Sequence, residues 1–387
     1  MKNKERSIAI VGCGGMGSGH ALAILYGTGT SIWVNSSVEG MESSNRKKKI
    51  IAESKLSPLT KPLNGKLKLK GIYDIAEDRR AWAASFDIYN YESFEAMLAD
   101  PELDIVLIAT PNHLHKEMAI KAMRAGKHVL CEKPVMMTSS DLEEVLAVAK
   151  ETGKVFYPRQ NRRWDYDFRV VKKVLEDGTL GKPFCIESRV LGANGVPGDW
   201  RNQTASGGGM MYDWGVHLLD RLSVLIPEKI TNVFCHLYHV NTEEVDDGLK
   251  MFLTFESGLT AVVEVGTVHY IKNPLWYVCG DKGTLMIKDW DMGGEIICEA
   301  EALSQDAEPI LAGEGLTKTM APRWGASVKN VPLPEIDYDH NALYHNLVDT
   351  INGDAEQIVT GEQALRVLRL MEAGFESAEK GEAVCFE

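Results

Sequence analysis

Short apolar runs organise the first part of the chain. Residues 7–12 read SIAIVG with no polar alternation, as a strand buried on both faces does. Residues 104–110 (DIVLIAT) and 128–131 (HVLC) repeat the pattern, and residues 67–74 (LKLKGIYD) form a further strand that ends on Asp74. Helical patterns fall between and beyond them at 21–26, 75–85, 116–125 and 141–152. Strands alternating with helices predict a doubly wound parallel sheet over residues 1–160. Beyond Arg159 the pattern changes. Residues 184–191, 233–240, 250–255, 259–268, 276–279 and 284–287 alternate apolar with polar, with turn chemistry at 256–259 (ESGL) and 280–283 (GDKG). A helical stretch at 340–379, interrupted near Asn352-Gly353-Asp354, follows. Residues 161–387 therefore read as an α+β unit with a large, mainly antiparallel open sheet. Two stretches resist this scheme. Residues 36–65 are polar and read as an insertion ahead of the second strand, with the basic run 46–49 as a solvated face, and residues 292–334 are rich in Gly and Pro.

Composition narrows the class. The chain has 387 residues, enough for two or three domains, and a 44% hydrophobic share that supplies a sizeable core. Its net charge of −13 argues against a general nucleic-acid or anionic-membrane binder. No apolar run approaches the roughly 18–20 residues of a membrane span, and none near the N-terminus forms a signal core. The seven cysteines form an odd, scattered set without a C-x-x-C pair, as expected of reduced cytoplasmic thiols.

Gly12-Cys13-Gly14-Gly15-Met16-Gly17 is a G-x-G-x-x-G placed where it carries meaning, after a buried strand and at the start of a helix. Gly12 permits the tight turn, Gly14 the approach of a pyrophosphate, and Gly17 close helix–strand packing. The acid that binds the adenosine ribose usually stands about 20 residues further on. That spacing reaches Asn35-Ser36-Ser37, which has no carboxylate, so Asp74 is the candidate and the intervening stretch the insertion. A carboxylate there accepts the 2′-hydroxyl and repels a 2′-phosphate, which favours NAD over NADP. Arg79 and Arg80 are what keep NADP in view.

Further groups gather at the carboxyl edge of the sheet, where open α/β sheets bind ligands. Residues 109–115 read ATPNHLH, and Glu132-Lys133-Pro134 follows the next strand. Pro134 biases Lys133 away from helical dihedrals and lays it across the cleft, where it can exchange a proton with a substrate hydroxyl. The third cluster, GGGMMYDWGVHLLD at 207–220, opens on a triple glycine that reads as flexible. At about 100° per residue, Asp213, His217 and Asp220 share one stripe of a helix, with Met211, Trp214, Leu218, Leu222 and Leu225 opposite. The bland reading of that stripe is a water-facing helix surface. Zinc is disfavoured for want of a well-spaced third ligand.

Together Gly12–Gly17, Thr110–His115, Glu132-Lys133-Pro134 and Asp213-x-Gly215-x-His217-x-x-Asp220 resemble the Gfo/Idh/MocA family, that of glucose–fructose oxidoreductase and the inositol dehydrogenases. Asn161-Arg162-Arg163 and the segment 177–183 (DGTLGKP) are similar to it as well. The resemblance covers nearly the whole chain apart from residues 36–65 and 292–334. It implies a Rossmann domain, a tightly held nicotinamide cofactor, and a sugar, inositol or glycoside substrate bound between the domains. It also implies a homo-oligomer formed through the second sheet. Lys133, Asp213 and His217 become the catalytic set. Gly12, Gly14, Gly15, Met16, Gly17, Asp74, Thr110, Pro111, Asn112, His113 or His115, Glu132 and Lys133 become the cofactor set. Arg163, Trp200 and Arg201, with Asp213 and His217, become substrate contacts. In this reading a secondary hydroxyl loses its proton to His217 or Lys133 while its carbon loses a hydride, and Asp213 orients the imidazole. The alternatives implied are glycoside cleavage through a 3-keto intermediate, and a non-catalytic dinucleotide-binding regulator.

Overall fold

The structure is a computed structural model that describes residues 4–27, 61–300, 308–321, 325–337 and 339–387. Its first sheet comprises β1 (Arg6–Val11), β2 (Leu67–Tyr73), β3 (Ile105–Ile108), β4 (His128–Cys131) and β5 (Phe156–Pro158). All are parallel, in the order β2-β1-β3-β4-β5. Neighbouring strand residues point to opposite faces, so uninterrupted apolar runs such as those of β1 and β3 need cover on both sides. Helices α1 (Gly15–Tyr26), α2 (Glu77–Ser85), α3 (Phe94–Ala99), α4 (His115–Arg124) and α5 (Ser139–Thr152) accompany the sheet. The strand order reverses between β1 and β3, and that reversal opens a crevice at their carboxyl ends. Residues 46–49, Asn35 to Ser37 and nearly all of the expected insertion at 36–65 lie outside the described residues. β2 does pair with β1 and deliver Asp74 to the crevice.

The second sheet holds β6 (Pro183–Leu191), β7 (Ile230–Tyr238), β8 (Gly248–Phe255), β9 (Thr260–Gly266), β10 (Trp276–Gly280), β11 (Gly283–Ile287) and β12 (Gly294–Glu299). A separate hairpin, β13 (Ile310–Ala312) with β14 (Gly315–Thr317), precedes β15 (Val328–Val331), and β16 (Val384–Cys385) closes the chain. The order β15-β12-β11-β10-β6-β9-β8-β7-β16 is antiparallel throughout except for β6 beside β9. Strands β12 to β15 come from the Gly- and Pro-rich stretch 292–334, where the sequence pattern predicts no element. Helices α6 (Tyr166–Glu176), α7 (Val216–Leu225), α8 (Ala342–Asn352) and α9 (Gly361–Lys380) complete the chain. α9 lies on β7, where the Ser377 hydroxyl accepts the Cys235 N–H at 2.9 Å. The opposite face of the sheet leaves Phe234, Phe252 and Tyr277 exposed.

The chain does not stay with this second sheet. α8 returns to the first: its Leu343, Tyr344, Leu347 and Val348 are buried with Ile8, Ile10, Leu22 and Ile72 in one apolar cluster. Arg6 Nε donates to Asn352 at 2.7 Å and Lys66 Nζ to Asp349 at 2.9 Å, fastening α8 at its rim. Among the described residues no helix is long and apolar enough to cross a membrane.

Candidate active site

One wall of the crevice is the glycine loop. Gly12 has φ +85°, and a Cβ there would stand 2.7 Å from the Ala109 carbonyl oxygen. A Cβ at Gly17 would stand 1.9 Å from the Gly12 carbonyl oxygen, so only glycine lets α1 start this close to β1. Gly14 and Gly15 face open space, and no side chain caps the first turn of α1. The leading N–H groups of a helix are orphan donors with a positive dipole end, and open space before them fits a pyrophosphate. Asp74 borders the same loop. Its carboxylate accepts the Cys13 N–H at 2.6 Å and the Ala76 N–H at 2.8 Å. Arg80 donates to the Asp74 and Ile75 carbonyls, each at 2.8 Å, while Arg79 pairs with Asp78.

The loop after β3 carries Thr110, Pro111 and Asn112. Asn112 is buried and its side-chain amide donates to the Gly207 carbonyl at 2.8 Å, which joins the two units at the crevice. The two candidate histidines of this loop do not contribute an imidazole to it. His115 is fully buried, and its ring nitrogens face the Thr110 and Pro134 carbonyls at 2.9 and 3.0 Å, pinning two loops together. His113 is exposed beside Lys116 and Glu117 on the outer side of α4.

Glu132 points inward rather than into the crevice. Its Oε1 takes His20 Nε2 at 2.7 Å and Arg159 Nη1 at 2.8 Å, and its Oε2 accepts the Lys133 N–H at 3.1 Å. Burial alone raises a carboxyl, but Arg159 and His20 hold Glu132 well below the usual carboxylate range. His20, which also meets the Tyr344 hydroxyl, is pushed down to about 4 by burial and by Arg159. A stack of buried charges therefore sits beneath Lys133 and sets its backbone, and the Lys133–Pro134 peptide is cis.

Lys133 Nζ reaches across to the second unit, where it donates to the Asp213 carboxylate at 2.7 Å and to the Asp213 carbonyl at 2.6 Å. This corrects the expectation that Asp213 orients His217. An ammonium at 2.7 Å outcompetes a neutral ring for the carboxylate. His217 is oriented instead by Gln160, whose Oε1 lies 3.2 Å from Nδ1. Nδ1 is then the protonated nitrogen, and Nε2 keeps its lone pair with no partner among the described residues. Burial first, then Lys133, Arg162, Arg221 and Arg159, pushes the His217 imidazole well below its ordinary 6.5. Burial would raise Asp213, but Lys133, Arg201 and Arg162 hold it down.

The polar stripe of α7 does not face water, because Val216 to Leu222 are all buried. The turn before it, Met211–Gly215, is a π-helix, a feature often found at functional sites. Asp246 fastens that turn by accepting the Met211 N–H at 2.7 Å, and burial pushes its carboxyl up to about 6. The triple glycine is crowded rather than flexible. A Cβ at Gly209, with φ +101°, would stand 2.1 Å from Asp246 Oδ1.

Arg163 is likewise not free for a substrate. It clamps Asp220 at 2.6 and 2.7 Å and donates to Ile358 O and Gln363 Oε1 at 3.0 and 2.7 Å. Those bonds tie the turn Asn161–Trp164 to α7 and α9. Arg201 stays near the centre, 3.7 Å from the Asp213 carboxylate, bonded to Asp199 and stacked over Trp200 at 4.6 Å. Gln160, Arg162, Trp214, Asp246 and Trp290 are the participants that sequence reasoning missed. Only the segment 161–163 had a signal, and there it pointed to Arg163 rather than its neighbour.

The sequence and fold match those of known proteins. The profile of the Gfo/Idh/MocA oxidoreductase family with its NAD-binding Rossmann fold matches residues 6–160, and the Gfo/Idh/MocA C-terminal domain matches residues 168–286. The chain belongs to the Gfo/Idh/MocA oxidoreductase family. A solved NAD-binding protein from Listeria innocua is 44% identical, with 99% of each chain covered and a TM-score of 0.85. The uncharacterized oxidoreductase YdgJ of Escherichia coli is 31% identical over 294 residues, 74% of this chain and 82% of that protein. A scyllo-inositol 2-dehydrogenase (NADP(+)) of Bacillus subtilis is 27% identical over 76% of this chain and 82% of its own length. The protein is thus an oxidoreductase with an NAD-binding Rossmann domain.

Proposed function

We propose that this protein oxidises a secondary hydroxyl of a sugar, inositol or glycoside, using NAD in preference to NADP. The observation that carries the reading is the pairing of Lys133 with Asp213 beside a Gln160-oriented, neutral His217, all at the crevice that the glycine loop borders. Bound nicotinamide supplies the hydride acceptor. The orphan N–H groups of Gly15, Met16 and Gly17 hold its pyrophosphate, Asp74 takes the ribose, and Thr110 to Asn112 form the adjoining wall. The substrate hydroxyl lies between Lys133 Nζ and His217 Nε2. His217 accepts the hydroxyl proton because burial and surrounding cations keep it neutral, while the Lys133 ammonium stabilises the developing alkoxide. Asp213 holds that ammonium in place, and its main-chain carbonyl shares the task. Reduction of a ketone runs the same path backwards.

NAD is favoured because the Asp74 carboxylate would repel a 2′-phosphate, while Arg80 engages main-chain carbonyls through Nη1 only. The Bacillus relative named for NADP makes this the feature most worth measuring. The aromatic row Phe234, Phe252 and Tyr277 on the open sheet face supports self-association with a second copy. Seven free thiols suit a cytoplasmic location. The test is incubation of the protein and NAD with sugars, inositols and glycosides, followed by product NMR. A keto product with equimolar NADH is expected; a product cleaved at the glycosidic bond, or no NADH from any of them, would sink the reading.

A further inference from the structure

Beside the proton-handling groups lies a cluster that the mechanism above does not use. The guanidinium carbon of Arg162 stands 4.6 Å from the Trp214 ring centroid and 5.8 Å from that of Trp290. The two indoles are 6.2 Å apart and inclined at 41°. Trp214 in turn meets the His217 ring edge-on at 5.8 Å. These residues come from three separate segments: the turn after β5, the π-turn before α7, and the bend between β11 and β12. Trp290 remains 49% exposed, an unusual state for so large an apolar ring.

Arg162 is only partly satisfied. Its Nη1 donates to Asp165 at 3.0 Å, but that same carboxylate oxygen also receives Arg221 Nη2 at 2.6 Å. Among the described residues neither Nε nor Nη2 of Arg162 has an acceptor, and its side chain is 31% exposed. Nε is buried, so this edge of the guanidinium is unpaired rather than solvated, and an unpaired guanidinium edge recognises a carboxylate better than a lone hydroxyl. A half-exposed indole next to it offers the C–H face of a saturated ring a flat apolar surface.

We propose that Arg162 and Trp290 select an acidic sugar: a pyranose-sized ring bearing a carboxylate. The carboxylate pairs with the unsatisfied Nε–Nη2 edge of Arg162, the ring lies along Trp290, and a hydroxyl faces Lys133 and His217. This rests on the dehydrogenase reading above and adds the substrate class to it. Trp214 supports the guanidinium from below and is a positioning residue.

The test compares matched pairs, D-glucuronate against D-glucose and D-galacturonate against D-galactose, with myo-inositol as a third arm. NADH formation gives kcat and KM, and tryptophan fluorescence of the NADH-loaded protein gives binding without turnover. The wild type should favour each acid over its neutral partner by roughly 10–100-fold in kcat/KM. Arg162→Gln should collapse that preference through KM, and Arg162→Lys should restore part of it. Trp290→Ala should raise KM for acids and quench less on binding. Equal use of acid and neutral sugars by the wild type overturns the proposal and leaves the dehydrogenase reading standing. A uniform loss for both members of a pair in Arg162→Gln also overturns it. Tighter binding of each acid than of its neutral partner, with no NADH from any arm, supports the carboxylate site while sinking the dehydrogenase reading, and absence of both binding and turnover in every arm sinks the two together.

Discussion

The glycine-loop side of the crevice is made of main chain, and the opposite side is made of side chains. On the first, a strand, a turn and a helix start present N–H groups, and the crowding of Gly12 and Gly17 fixes their shape. On the second, Lys133, Gln160, Arg162, Asp213, His217 and Trp290 arrive from four separate segments and are set by their partners. A main-chain site is specified locally and tolerates few changes of size. A side-chain site is specified by long-range pairing, so its members can be exchanged one at a time with graded effects on chemistry.

The largest expected contrast comes from removing the proton-handling groups. His217→Ala and Lys133→Met should each slow hydride transfer by roughly 10²–10⁴-fold. NAD binding, read by calorimetry, should survive His217→Ala almost unchanged; joint loss of binding would erase the division between the two sides. Gly17→Ala should act in the opposite sense. Its new Cβ meets the Gly12 carbonyl, so cofactor binding should fail and the melting temperature fall, with a cost on the order of 1–3 kcal/mol. An unchanged melting curve and affinity would refute the crowding argument.

Gln160→Glu should move the pH profile more than the maximum rate. A carboxylate at Nδ1 favours the imidazolium, so His217 should lose its proton at higher pH and the acid limb of the rate should shift upward. Stopped-flow NADH formation across pH measures this, and an unmoved limb would take His217 out of the proton path. A smaller effect belongs to Asp74→Ala, which should reduce the NAD-over-NADP preference by about tenfold. Measured Kd values for both cofactors decide it; an unaltered ratio would mean that Asp74 only holds the Cys13 and Ala76 N–H groups.

The smallest effect concerns stability. His128 accepts the Val155 N–H on Nδ1 at 3.0 Å and is pushed down to about 4 by burial, then by Lys154. The unfolded chain therefore binds the proton first. The contribution of His128 is complete above pH 6.5 and is lost as pH falls toward 4, and His20 adds in the same direction. Asp246, raised to about 6, has the opposite slope, since its folded form binds the proton more readily. Thermal melts of wild type and His128→Gln between pH 4 and 7 should show a shallower acid slope in the variant.

The same contrast explains what could be read from residues alone. β1, β3 and β4 were legible because burial on both faces leaves an uninterrupted apolar run, and the glycine motif because steric demand leaves only one residue type. β5 was not: it is three residues long and ends on Pro158. β12 and β15 were hidden in a stretch dominated by glycine and proline, since their pairing depends on neighbours already in place. Lys133, Asp213 and His217 stood out as chemically capable types at a sheet edge and on a helix. Their pairings did not, because Lys133 with Asp213 and Gln160 with His217 are brought together by the tertiary fold. No local period links positions so far apart. Trp214 was assigned to the apolar side of an ideal helix, a geometry that the π-turn removes.

The return of α8 to the first sheet has a consequence for the order in which the molecule can be made. During synthesis β1 to β5 emerge early, but the helix that shares a core with Ile8, Ile10 and Leu22 follows only after every strand of the second sheet except β16. The nascent N-terminal half must wait with an apolar face uncovered, a state in which it is open to chaperones and to aggregation. Once α8 docks, Tyr344 closes over His20 and the Glu132 stack is sealed. The cofactor side is therefore finished last, although its signature motif is translated first.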